Sequence, residues 1–190
     1  MGLFASRGNC AAAPNRSPGH ALRLRGAIGR AGGTLPTKPD LSVLIVEDQA
    51  ILAMDLELTL TESGCDVIGC TMDAPSSLAL AAQERPDLAF VDLNLLDGLT
   101  GPRIARELVR DHGAAVVFLT ANPEQIPEGF GGALGAVVKP FDERTIRAVV
   151  DFARGFIRGQ AVGAAPRRFR MAPWLTRAPE AAADPAISRS

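Results

Sequence analysis

An aspartate ends one of the most apolar runs of the chain, in the sequence FVDLNLLDG at residues 90–98. Asp92 has two interpretations. It begins a turn together with Asp97 and Gly98, which are common turn residues, or it is a nucleophile or metal ligand at the carboxyl edge of a parallel sheet. Open α/β folds bind their ligands at that edge. The polar residues that end other apolar runs distinguish between these interpretations.

Three further apolar runs of the chain also end in polar residues. Glu47 and Asp48 follow SVLIV, Thr120 follows AAVVFL, and Lys139 follows GAVV. Because the carboxyl ends of parallel strands lie at one edge of a sheet, we expect three acids, a hydroxyl and an amine to converge there. The sequence therefore favours a chemical role for Asp92.

The elements that position these residues can be predicted from the spacing of apolar residues. Five short runs of apolar and β-branched residues are typical of strands buried on both faces; they lie at 42–46, 66–70, 87–91, 114–119 and 135–138. Between them, apolar residues that recur every three or four positions predict helices. Strands separated by helices imply right-handed crossovers and a parallel sheet, so we predict an α/β fold, a doubly wound three-layer sandwich.

Charge divides the 190-residue chain into three parts. Residues 1–39 contain six cations and no acid, and residues 158–190 contain six arginines and two acids, whereas residues 40–157 contain eight cations and 19 acids. Both basic segments have few large apolar residues, which cannot offset the entropy lost on ordering. We predict a disordered Arg-rich extension at 1–40, a folded domain at 41–157 and a disordered C-terminal tail at 158–190.

Composition excludes several classes of protein. No apolar stretch reaches the roughly 20 residues that span a bilayer. The three cysteines have no CxxC spacing and the two histidines lie far apart, so neither a disulfide framework nor a zinc site is indicated. A reducing cytoplasm is the expected location.

Four motifs in register, VLIVEDQ, FVDLNL, FLTA and VVKPF, resemble the receiver domain of two-component response regulators. The resemblance covers about residues 41–157. It implies a flavodoxin-like sheet of five strands in the order 2-1-3-4-5 and makes Asp92 the phosphoacceptor. Two stretches, ILAMDLELTL and FLTANPEQIP, also resemble receivers of alphaproteobacterial general-stress regulators.

The resemblance implies Mg²⁺ as the cofactor. Magnesium is a hard ion that takes one or two carboxylates and retains water. Asp48 and Asp92 fit as direct ligands, with Glu47 nearby or bound through water. By family resemblance the carbonyl of Asn94 is a further protein ligand.

Two residues of the motifs are expected to contact the phosphoryl group. By resemblance, Lys139 pairs with a phosphoryl oxygen and precedes a cis bond to Pro140, and Thr120 is the switch hydroxyl. Ala136 departs from the family pattern, because receivers commonly carry an aromatic ring there. The segment between Thr120 and Lys139 is rich in helix breakers, so we expect the helix between the fourth and fifth strands to be short or distorted.

The predicted function is that of a stand-alone receiver, a signalling protein rather than an enzyme. A histidine kinase or phosphotransfer protein would phosphorylate it, and it would then act on a protein partner that the sequence does not identify. One alternative is a haloacid-dehalogenase-type phosphatase, although that family carries an aspartate where this chain has Asn94. Another is nucleic-acid regulation through the basic tails. They could contact phosphates but offer no base readout, so specific DNA binding is not expected.

Overall fold

A six-stranded sheet in the order β2-β1-β3-β4-β5-β6 forms the centre of the computed structural model, which describes residues 41–160 and 164–176. Its strands are Ser42–Val46 (β1), Asp66–Thr71 (β2), Leu88–Asp92 (β3), Ala115–Thr120 (β4), Gly135–Val138 (β5) and Phe169–Met171 (β6). Its helices are Ala50–Glu62 (α1), Ala74–Glu84 (α2), Gly101–His112 (α3), Glu143–Ile157 (α4) and Pro173–Thr176 (α5).

The first five strands are parallel, and their order confirms the predicted 2-1-3-4-5 arrangement. Every residue of β3 and β4 is buried. A strand covered on both faces needs apolar side chains throughout, which explains the runs LAFV and AVVFL. Asp92 and Thr120, which end these two strands, are the buried polar exceptions.

Helices cover both faces of the sheet and create two apolar cores. Successive strand residues point to opposite faces, so Ile45 packs in the core that also holds Leu56 of α1. Its neighbour Leu44 packs with Ile104 of α3 on the other side. Helix α1 lies beside α4, and α2 lies beside α3. The three-layer architecture follows from this division.

The segment between β4 and β5, where we predicted a short or distorted helix, contains no α-helix. It forms a 3-10 turn at Pro123–Gln125 and a second turn at Glu128–Gly132, in which Gly129, Phe130 and Gly131 have φ of 69°, 59° and 57°. Phe130 adopts this left-handed conformation, which costs a non-glycine residue about 1–2 kcal/mol. Its ring is buried in the core under α3, and this burial offsets the cost.

A sixth strand and a fifth helix lie within residues 158–190, the segment for which we predicted a disordered tail. Strand β6 pairs antiparallel with β5. Phe169 enters the core with 6% of its surface exposed, and its ring centroid lies 5.2 Å from that of Phe152. In α5, Nε1 of Trp174 donates to the carbonyl of Ala133 at 3.0 Å. Isolated aromatic residues in an Ala-, Pro- and Arg-rich region thus anchor this segment.

Gly135 permits the approach of β6 to β5. A Cβ at this position would lie 2.5 Å from the carbonyl oxygen of Arg170 and 2.5 Å from the Phe169 ring. A Cβ this close would clash with the backbone of β6. Residue 135 must therefore lack a side chain for β6 to pair with β5.

Other parts of the predicted tails lie outside the described residues, namely 1–40, 161–163 and 177–190. Within the part of the chain that is described, no helix is both long enough and apolar enough to cross a membrane.

Replacing Phe169 with alanine should test whether β6 belongs to the folded domain. We expect Phe169→Ala to lower the free energy of unfolding by about 3 kcal/mol, because it leaves a cavity beside Phe152. Arg170→Ala in the same strand removes an exposed side chain that lies over the Phe130 ring and should cost below about 1 kcal/mol. Urea denaturation of both variants measures the difference. Equal, small losses would mean that β6 is dispensable.

Candidate functional site

The polar residues predicted to converge all lie at the carboxyl edge of the parallel sheet. Asp92 and Thr120 are the last residues of β3 and β4, and Glu47 and Lys139 directly follow β1 and β5. Asp48 comes next after Glu47. The strands β1, β3, β4 and β5 are consecutive in the sheet, so one edge carries all five residues.

Lys139 joins two of the carboxylates directly. Its Nζ lies 2.6 Å from Oε2 of Glu47 and 2.5 Å from Oδ2 of Asp92. The exposed side-chain fractions are 10% for Lys139, 0% for Glu47 and 7% for Asp92. Removing charges from water is costly unless they are paired, so these three groups depend on one another.

The site has more negative than positive charge. Carboxylate oxygens of Glu47, Asp48 and Asp92 lie within 4.8 Å of one another, and Lys139 supplies the neighbouring ammonium. Clustered oxygen ligands with excess negative charge suit a hard divalent cation such as Mg²⁺. The donor set therefore fits the predicted metal.

The raised pKa of Glu47 shows that a negative charge is unfavourable in this buried site. Burial raises its pKa above the ordinary value, and the nearby charge of Asp92 raises it further, whereas Lys139 and the backbone N–H of Gln49 act in the opposite direction. Burial is the largest of these effects. A bound cation would oppose the same rise by stabilising the carboxylate.

Asn94 and Gln125 form a side-chain link that was not predicted from the sequence. The backbone N–H of Asn94 donates to Oδ1 of Asp92 at 3.2 Å, and its side-chain Nδ2 donates to Oε1 of Gln125 at 2.8 Å. Gln125 belongs to the turn after β4, 31 residues away in sequence. No local sequence signal predicts such a pairing.

Thr120 is completely buried and is linked to Lys139 through the main chain. The N–H of Lys139 donates to the carbonyl of Thr120 at 2.8 Å. The Thr120 hydroxyl accepts a hydrogen bond from the N–H of Asn122 at 2.9 Å. The Lys139–Pro140 bond is cis, as the resemblance implied.

Gly101 is a second positioning residue that was not predicted from the sequence. A Cβ at this position would lie 2.0 Å from the carbonyl oxygen of Asp92 and 2.7 Å from Cα of Leu93. Only glycine therefore allows α3 to begin directly against the end of β3. The Gly-Pro dipeptide at residues 101–102 was the sequence feature that could have indicated this close approach.

Asp97 holds the loop after Asp92 in place, in addition to its predicted role in a turn. One of its oxygens accepts from the N–H of Ala74 at 3.0 Å and the other from the hydroxyl of Thr100 at 2.5 Å. The hydrogen bond from Thr100 is the main reason that its pKa is lowered. Asp97 thus ties this loop to the start of α2.

Residues 43–151 match the response regulator receiver domain family. This stretch holds the β/α units and the acidic edge described above. The chain belongs to the response regulator receiver domain family.

Several relatives of this chain are PhyR regulators. It is 30% identical over 136 residues to the Phyllosphere-induced regulator PhyR of Methylorubrum extorquens, covering 70% of this chain and 51% of that protein. Among solved structures, PhyR from Brucella abortus has 30% identity and a TM-score of 0.57, with 63% of this chain and 49% of that chain covered. The chain thus spans about half the length of these two relatives.

An isolated receiver domain is covered almost entirely. The PhyR receiver domain from Erythrobacter litoralis has 30% identity and a TM-score of 0.57, with 66% of this chain and 95% of that chain covered. The similarity to PhyR proteins confirms the predicted resemblance to general-stress regulators.

The raised pKa of Glu47 predicts a pH dependence of stability in the presence of EDTA. The folded state holds the Glu47 proton more tightly than the unfolded state. This contribution is therefore fully present below about pH 4.5 and is lost as pH rises through the folded pKa. Glu47→Gln carries no such proton, so it should gain stability relative to the wild type as pH increases from 4.5 to 8.

Urea denaturation across this pH range, with the exposed Glu84→Gln as control, measures the effect. Glu84→Gln should follow the wild-type profile. If Glu47→Gln instead loses relative stability as pH rises, Lys139 dominates over burial and keeps Glu47 ionised.

Proposed function

We propose that this chain accepts a phosphoryl group on Asp92 from a histidine kinase or phosphotransfer protein and signals by changing its contacts with another protein. The observation that carries the proposal is the contact of Asp92 with Lys139 beside Glu47 and Asp48. Membership of the receiver family supports the same role. In this role the chain is a signalling protein rather than an enzyme.

Phosphoryl transfer depends mainly on alignment and on neutralising the phosphoryl oxygens. Asp48 and Asp92 would hold Mg²⁺ together with the main-chain carbonyl of Asn94, and Glu47 would contact it directly or through water. When bound, the ion supplies positive charge at the transferred oxygens. The excess of carboxylates at this edge supports that assignment.

Asp92 would be the nucleophile. One of its oxygens forms the bond to phosphorus while the bond to the donor's leaving group breaks. Lys139 already contacts Asp92, so its ammonium is positioned to pair with a phosphoryl oxygen as a point charge. The buried Thr120 hydroxyl would turn from the N–H of Asn122 towards the new group.

The response to phosphorylation would pass through the backbone of β4 and β5. Thr120 and Lys139 are hydrogen-bonded through their main chains, so displacement of one affects the other. Ala136 carries no ring that could swing inward. The loop after β5 is also in contact with the C-terminal segment, because a guanidinium N–H of Arg168 donates to the carbonyl of Pro140 at 3.5 Å.

Exposed apolar side chains near the site support a protein rather than a small molecule as the phosphoryl donor. Ile51 and Met54 on α1 are 83% and 60% exposed, and Leu96 and Leu99 after β3 are 71% and 53% exposed. Met72, which follows β2, is 48% exposed. Exposed apolar residues that group on one surface are typical of protein-interaction sites.

The phosphatase alternative has less support. Its general acid would stand at residue 94, where an asparagine amide cannot donate a proton to a leaving group in that way. The side chain of Asn94 is also engaged with Gln125.

Asp92→Asn should abolish phosphorylation by acetyl phosphate and Mg²⁺, because an amide is not nucleophilic towards phosphorus. Asp97→Asn, which changes the other aspartate of the same loop, should still be labelled. Intact-mass spectrometry of the full chain counts the phosphoryl groups added. Stoichiometric labelling of Asp92→Asn would show that another residue is the acceptor.

A charge on the exposed face of α1 should separate donor docking from chemistry. We expect Met54→Glu to slow phosphotransfer from a cognate protein donor by about tenfold, the equivalent of about 1.4 kcal/mol, and to leave labelling by acetyl phosphate unchanged. Thr61→Glu, exposed near the end of the same helix, is the control and should transfer at the wild-type rate. If Met54→Glu lowers both reactions equally, it has disturbed the site itself.

A further inference from the structure

A cleft with three arginines lies between the first turn of α4 and the turn that precedes β6. Its volume is about 690 Å³. The residues that line it, here called the arginine cleft, are Asp142, Arg144, Thr145, Ala148, Arg167 and Arg168. Helix α4 provides one arginine and the C-terminal segment provides two, so the cleft exists only because that segment returns to the domain.

Local structure holds two of these arginines in place. The N–H of Phe169 donates to the carbonyl of Pro166 at 3.1 Å, which closes a tight turn around Arg167 and Arg168. Arg168 has a φ of 64°, and its guanidinium donates to the carbonyl of Pro140. The buried Phe169 ring anchors the end of the turn.

Asp142, the single acidic residue that lines the cleft, already accepts two hydrogen bonds. Oδ1 of Asp142 accepts from the N–H of Thr145 at 2.8 Å and from its hydroxyl at 2.7 Å, and so caps α4. These hydrogen bonds are the main causes of its lowered pKa, and the charges of Arg168 and Arg144 add to them. Among the described residues, Arg144 and Arg167 form no ion pair.

We propose that the arginine cleft binds an acidic segment of a partner protein. Guanidinium groups match carboxylates in a bidentate geometry. Residues 40–157 carry eight cations against 19 acids, so a long nucleic acid would meet repulsion beyond the cleft. A short peptide with a few carboxylates can contact the three arginines alone.

The position of the cleft links this partner to the acidic site. Arg168 contacts Pro140, the residue after Lys139, and Lys139 contacts Asp92. A partner held by Arg168 therefore acts on the loop that positions the lysine. The binding itself does not require that Asp92 be phosphorylated, so it can be tested independently of the proposed function.

Fluorescence anisotropy of the full chain with a labelled hexaglutamate peptide at low salt tests the cleft. Arg144→Gln with Arg167→Gln should weaken binding at least tenfold. Arg103→Gln with Arg110→Gln removes the same charge from exposed positions of α3 and should change affinity less than twofold. Arg144→Lys with Arg167→Lys should restore part of the affinity, because lysine returns the positive charge but cannot form the paired hydrogen bonds of a guanidinium to a carboxylate.

Amide chemical shifts in ¹H–¹⁵N spectra locate the peptide. Perturbations at Thr145 and Ala148, absent with hexaglutamine, are the expected result. Three results would overturn the proposal: no binding by the wild-type chain, equal losses in the cleft and α3 variants, or cleft-dependent binding of a thymidine oligonucleotide without binding of hexaglutamate. Thermal denaturation of each variant verifies that these exposed substitutions leave the fold intact.

Discussion

The ammonium of Lys139 between two buried carboxylates is the interaction on which the site depends. Both carboxylates are buried beside this ammonium, and removing one partner of a buried pair leaves an uncompensated charge. The order of the strands decides which residue types can take part. Neighbouring strands are about 4.8 Å apart. The long side chains of Glu47 and Lys139 therefore come from outer strands of this group, whereas the short Asp92 and Thr120 end the strands between them.

Much of this arrangement could be predicted from the sequence, because its causes are local. Strands buried on both faces leave continuous apolar runs, and a polar residue at the end of such a run, like Asp92, stands out. Lys139 could be placed at the same edge because β5 is parallel to its neighbour. The parallel sheet followed from these patterns, its strand order 2-1-3-4-5 followed from the resemblance to receiver domains, and the helix breakers after β4 indicated that a regular helix is disfavoured there.

The features that escaped prediction depend on contacts between distant parts of the chain. The hydrogen bond between Asn94 and Gln125 requires the turn after β4 to pass the phosphoacceptor loop. The sixth strand depends on Phe169 and Trp174 in a segment of otherwise unfavourable composition, and on the missing side chain of Gly135. Arg170 of β6 pairs with Ala136, where receivers commonly carry an aromatic ring, and its guanidinium carbon lies 5.7 Å from the ring centroid of Phe130. The C-terminal segment thus lies beside the position at which this chain lacks the aromatic ring.

The docking of β6 also determines how the sheet ends. Without it, the Gly-Ala-Val-Val run of β5 would offer unpaired N–H and carbonyl groups beside apolar side chains, and such an edge readily pairs with a second molecule. The outermost strand is instead three residues long, and it carries positive charge from exposed Arg170 within it and exposed Arg168 directly before it. Short, charged edges repel their own copies. The segment that completes this domain therefore also protects it from aggregation through its sheet.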